Sequence, residues 1–124
     1  IRKLQQFFLL NDFYDMATVT SSNKWLLKEI KNVSPHIQTG YVAESRYRDS
    51  VKTSLSLGCS LLVLNERLAT PKLIKYAQRN GLEVSCWTVN NAARMAQLRK
   101  LGVDSIITDE PSQTIQQYFK NQPQ

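Results

Sequence analysis

Short strand-like runs recur along this chain at nearly even intervals, and that rhythm constrains the fold more than any other feature. The runs are Met16–Thr20, Ile37–Val42, Leu61–Leu64, Glu83–Val89 and Asp104–Thr108. Their starts lie 21, 24, 22 and 21 residues apart. Each gap holds a segment with helical character. Leu26, Leu27, Ile30 and Val33 form one stripe in Lys24–Val33, and Leu73, Ile74 and Ala77 do so in Thr70–Asn80. Ala92, Met95, Ala96 and Leu98 give a third stripe in Asn91–Leu101, and Val51–Leu57 is a weaker fourth helix. Ile1–Phe13 is the helix expected before the first strand. Boundary residues agree: Asn23, Thr70 and Asn91 suit N-caps, Pro71 suits a first helical position, and Gly58, Gly81 and Gly102 follow helix ends.

Strands alternating with helices at this spacing imply βα units and a parallel sheet. Leu61-Leu62-Val63-Leu64 is apolar on both faces, as a strand covered on both sides should be. No glycine-rich fingerprint follows any strand, so a dinucleotide-binding sheet loses its main support. A (β/α)8 barrel fits the rhythm, but a whole one takes eight units and about 250 residues. This chain has 124 residues, room for five units, and starts at Ile1 rather than Met. The expectation is an α/β fold: residues 1–124 as the carboxyl-terminal part of a TIM-type barrel, lacking its first three strands.

Composition narrows the function classes. The formal charge is +6 and the pI about 9.5, which suits an anionic partner. The Lys and Arg residues are scattered, however, with no clustered basic face or aromatic platform, so no nucleic-acid partner is expected. Cys59 and Cys86 match no disulfide framework or zinc spacing and read as buried thiols. With His36 as the one histidine, His-rich metal sites and a His-based triad with a partner Cys lose their support. The longest apolar run is far short of the ~20 residues that cross a bilayer, and no secretory signal pattern is present.

The last third carries the most specific pattern. Gly81-Leu82-Glu83-Val84-Ser85-Cys86-Trp87-Thr88-Val89-Asn90-Asn91 is followed by Leu101-Gly102-Val103-Asp104-Ser105-Ile106-Ile107-Thr108-Asp109-Glu110-Pro111. This pair resembles the carboxyl-terminal signature of the glycerophosphodiester phosphodiesterases, whose seventh barrel strand carries Trp-Thr-Val-Asn and whose eighth ends Ile-Ile-Thr-Asp-x-Pro. Thr20-Ser21-Ser22-Asn23 and Pro35-His36-Ile37-Gln38-Thr39-Gly40-Tyr41-Val42 are similar to the family's fourth and fifth strands. The resemblance implies hydrolysis of glycerophosphodiesters to glycerol 3-phosphate and an alcohol, assisted by a divalent metal (calcium or magnesium). The family's metal and acid–base residues lie on its first three strands: His-Arg-Gly, Glu-x-Asp with a further His, and Glu-x-Lys. This chain has no Glu-x-Asp, and its one Glu-x-Lys, Glu29-Ile30-Lys31, falls in the helical stripe Lys24–Val33 rather than on a strand. The chain alone is therefore expected to bind no metal, hold no catalytic residue and show no activity.

Two substrate-binding candidates remain. Trp87 matches the family aromatic that lines the substrate cleft, with a core tryptophan as the competing reading. Ser22, with Ser21, ends the fourth strand where a hydroxyl could reach a phosphate; a turn or cap role competes. His36 precedes its strand and falls at the end opposite a barrel site. Asp109 reads as the cap of a helix Ser112–Phe119 rather than as half of a carboxylate pair with Glu110. Glu44 and Glu66 sit in loops at the site end, and Arg46 and Arg48 read as solvated loop residues.

Two function classes stay open: the back part of a phosphodiesterase barrel, or a non-catalytic barrel remnant serving in binding or structure. Both expose sheet edges and an inner face bearing Val19, Val63 and Ile107 or their alternating neighbours, so self-association is expected.

Overall fold

The computed structural model describes residues 1–11, 14–44, 47–113 and 116, with the side chains of 47 and 48 excepted. Five parallel strands lie in the order β1 (Thr18–Ser21), β2 (Gln38–Ala43), β3 (Leu61–Asn65), β4 (Glu83–Trp87) and β5 (Ser105–Ile106). Each joins its successor through a helix: α2 (Lys24–Val33), α3 (Tyr47–Ser56), α4 (Pro71–Arg79) and α5 (Ala92–Lys100). Helix α1 (Arg2–Asn11) precedes β1. Parallel neighbours need such crossovers, so sheet order follows chain order.

Residue chemistry sets the helix boundaries. The Asn23 side chain accepts from the Leu26 N–H, and Thr70 does the same for Leu73 with Pro71 behind it. Asn91 accepts from the Ala93 and Arg94 N–H groups. Caps of this kind contribute about 0.5–2 kcal/mol each. Helix α3 begins at Tyr47, ahead of the apolar residues that mark it in the sequence. Two of its polar residues face inward: Ser50 and Ser54 are buried, and the Ser54 hydroxyl donates to the Ser50 carbonyl at 2.8 Å. A helical turn at Glu66–Leu68, started by the Asn65 side chain accepting from the Arg67 N–H, has no counterpart in the sequence reading.

Strand ends also differ from expectation. β1 starts at Thr18 because residues 14–16 form a turn that leaves Met16 82% exposed. β4 stops at Trp87 rather than Val89, and β5 keeps two ladder residues with β4 as its one neighbour.

The two faces of the sheet are unlike. One face packs Tyr41, Ala43, Leu62, Leu64, Val84 and Cys86 against Val51, Leu73, Ile74, Ala77 and Leu98 from the helices. Each fully buried Leu or Ile contributes about 1.5–3 kcal/mol, so this layer is the main core. A smaller cluster of Phe8, Ile30 and Ile37 closes the β1 end. Val19 packs on that cluster, which corrects its expected inward placement; its neighbour Thr20 takes the inner face with Val63 and Ile107. Among the described residues no helix covers the inner face, which forms a concave wall.

Candidate functional site

Sites in parallel βα folds form where the strands end and the following loops gather. That rim comprises residues 21–23 after β1, 43–44 after β2, 65–66 after β3, 87–90 after β4 and 107–110 after β5. Below it the inner face encloses a concavity of about 310 Å3 lined by Thr20, Val42, Val63, Trp87, Thr88 and Ile107. The ladder places Val42 beside Val63 and Thr20 beside Gly40. A Cβ at Gly40 would stand 3.1 Å from both Leu61 Cβ and Thr20 Cγ2, so glycine is what lets these strands close up beneath the concavity.

Trp87 is the largest group in this wall. It is half-buried, and its Nε1 is buried without a hydrogen-bond partner. A buried indole N–H usually finds an acceptor; none of the described residues supplies one. The peptide joining Trp87 to Thr88 is cis. Ser21 accepts the Asn23 N–H on its Oγ at 3.0 Å, a turn role, whereas Ser22 stands exposed on the rim. Trp87 and Ser22 therefore lie at the same end of the sheet, one in the wall and one on the lip.

The remaining candidates separate by partner and place. Glu66 is committed to Arg94: Nε donates to its carboxylate at 2.5 Å, and Nη2 donates to its carbonyl at 2.6 Å. This ties the loop after β3 to α5. Glu44 is exposed. The backbone N–H groups of Asp109 and Glu110 donate to Asn90 Oδ1 and Thr108 Oγ1 at 3.0 and 3.1 Å. Residues 111–113 are helical, but most of the expected Ser112–Phe119 helix lies outside the described residues. Arg46 and the Arg48 side chain lie outside them too. His36 is exposed in the turn before β2, at the opposite end from the rim.

Both thiols are buried. Burial raises the Cys59 thiol, and Thr39 Oγ1 donates to its sulfur at 3.5 Å. Cys86 lies on the helix-packed face, and burial pushes its thiol up to about 11. Arg94 lowers that value and Glu66, to a lesser extent, raises it. Neither thiol suits a nucleophile, which needs a depressed pKa and access. Among the described residues, no three His, Cys, Asp or Glu side chains gather where an ion could bind. These residues do not fit a divalent cation.

The rim contact that sequence reasoning missed joins the two signature segments. Asn90 Oδ1 accepts the Thr108 hydroxyl at 2.8 Å as well as the Asp109 N–H. The signal was present, in that Asn90 and Thr108 end the two motifs, but the partnership spans 18 residues and only the fold reveals it.

A one-layer set of five parallel βα units, open on a concave face with its loops at the strand ends, is about half of a TIM barrel. Residues 6–113 match the glycerophosphoryl diester phosphodiesterase family, and the chain belongs to that family. It is 27% identical over 104 residues to a glycerophosphodiester phosphodiesterase of Caldanaerobacter subterraneus, covering 84% of this chain and 43% of that protein. A crystal structure from Silicibacter pomeroyi, of a protein assigned to the same enzyme class, has a TM-score of 0.82 at 25% identity. That match covers 94% of this chain and 42% of the other. The glycerophosphodiester phosphodiesterase of Parabacteroides distasonis shares the fold with a TM-score of 0.79 at 22% identity, over 96% of this chain and 50% of its own. The chain thus spans half or less of the proteins it matches.

Proposed function

We propose that this chain forms the substrate-facing wall of a glycerophosphodiester phosphodiesterase, with the cation and the proton-transfer groups carried by three βα units outside residues 1–124. The single observation that supports the reading most is the apolar concavity at the strand ends, walled by Trp87, in a chain of this family. In the completed barrel the substrate is a glycerophosphodiester, cleaved to glycerol 3-phosphate and an alcohol with calcium or magnesium bound by the other units. Trp87 packs against the apolar part of the ligand, and the Ser22 hydroxyl reaches toward phosphate. This chain alone is inactive, because cation-assisted hydrolysis needs clustered carboxylates and an acid for the leaving oxygen.

The test is Trp87→Ala in the barrel completed by its first three units. The expected result is a raised KM and a lowered kcat with a small change in Tm. A large fall in Tm with unchanged kinetics in the folded fraction overturns the cleft reading, since a core tryptophan costs about 3–5 kcal/mol on truncation.

One observation favours a second reading, a self-associating module. The outer edges of β1 and β5 have no strand partner among the described residues, and Ile107 is 46% exposed on the open face. Unpaired edges beside apolar side chains template pairing with another chain.

A further inference from the structure

The ladder between β4 and β5 is irregular just where the wall needs Trp87. The Ile107 N–H donates to the Cys86 carbonyl at 2.8 Å, and the Ile107 carbonyl accepts from the Val89 N–H at 2.9 Å. In a regular parallel ladder those two bonds flank a single residue. Here they flank Trp87 and Thr88, so one extra residue is inserted opposite Ile107. An inserted residue bends the strand and re-aims its side chain, and such bulges recur at barrel rims beside active sites. This insertion accounts for β4 ending at Trp87, and for Trp87 and Thr88 both lining the concavity.

A bulge at a sheet end is held only as well as the backbone beyond it. On this side that backbone is fixed by Asn90. Its Oδ1 accepts both the Thr108 hydroxyl at 2.8 Å and the Asp109 N–H at 3.0 Å, and Thr108 Oγ1 accepts the Glu110 N–H at 3.1 Å. Both of the bonds that reach Asn90 use it as an acceptor. We infer that Asn90 is a positioning residue, whose Oδ1 locks the Trp87–Thr88 bulge to the loop after β5 and so holds the indole in the cleft wall. It touches no reacting group. Its functional meaning rests on the proposed reading of this face, whereas the clamp itself does not. An acceptor-only role predicts that Asp replaces Asn90 and that Ala does not.

The test uses the full chain with Trp25, which is exposed, changed to Phe, leaving Trp87 as the sole tryptophan. Acrylamide quenching of Trp87 is measured together with amide hydrogen exchange at Val89 and Asp109. Asn90→Ala should raise quenching and speed both amides about fivefold to tenfold, the scale of one hydrogen bond. Asn90→Asp should keep wild-type values in both measurements. Wild-type quenching and exchange in Asn90→Ala, or an Ala-like response in Asn90→Asp, overturns the inference. If Asn90→Ala does not fold, Thr108→Val removes the hydroxyl donor with Asn90 intact. It must raise Trp87 quenching, and unchanged quenching overturns the inference equally. These readouts follow the loop rather than turnover, so a clamp that holds while Trp87→Ala leaves kinetics untouched would refute the cleft reading alone.

Discussion

Cys86 gives this fold an alkaline limit whose size follows from its position. The side chain is fully buried between β3, β5 and the helices, and burial raises its thiol from 9.0 to about 11. The native state therefore holds its proton more tightly than the unfolded chain does. Below pH 9 both states are protonated and the contribution is fully present. Between pH 9 and 11 the unfolded chain releases the proton first, so stability falls by up to about 1.4 kcal/mol per pH unit. Two units of separation set a ceiling of about 2.7 kcal/mol, of which about 2 kcal/mol is lost by pH 11. The assay is urea unfolding under reducing conditions from pH 8 to 11, for the native chain and for Cys86→Ala. All other groups are common to both proteins and cancel in the difference, while the lost packing in Cys86→Ala is independent of pH. The stability gap between the two should close by about 2 kcal/mol across this range. A gap that stays constant from pH 8 to 11 would refute the reasoning.

Leu64→Ala, at a fully buried strand position, should cost about 2–5 kcal/mol in urea unfolding, and a loss below 1 kcal/mol would contradict the core described here. Arg94→Ala should cost about 1.5–3 kcal/mol, because it strips the Glu66 carboxylate and carbonyl of charged donors; an unchanged urea midpoint would show that the loop after β3 is held by other means. In a light-scattering dilution series the chain should populate species larger than 14.2 kDa at high micromolar concentration, through its open edges and exposed α1 residues such as Leu10, which is 83% exposed. A monodisperse monomer throughout that range would remove the self-association reading.

How much of this was legible in the sequence depended on the range of the interactions. Helices α2 and α4 announce themselves because their caps and apolar stripes are local: Asn23 and Thr70 bond three residues ahead. The sheet was legible because strands covered by helices stay apolar, as Leu62 and Leu64 do. Helix α3 was read short because Ser50 and Ser54 are buried, the Ser54 hydroxyl donating to the Ser50 carbonyl inside the helix, and leave no apolar mark. The Glu66–Arg94 pair and the Asn90–Thr108 clamp join residues 28 and 18 apart, so no window of sequence shows them. The end of β4 was overrun because Val89 still bonds to Ile107, as a strand residue would, while Trp87 and Thr88 loop out between. For the site, resemblance marked Trp87, and only the fold shows that it shares a wall with Val42, Val63 and Ile107.

The central claim is a division of labour: this chain supplies a cleft wall, and the chemistry resides in units outside it. The most direct measurement is release of glycerol 3-phosphate from glycerophosphocholine by the purified 124-residue chain, with calcium or magnesium added. The account predicts release no faster than in the protein-free control with either ion. Metal-dependent release above that control, abolished by a chelator, would contradict it.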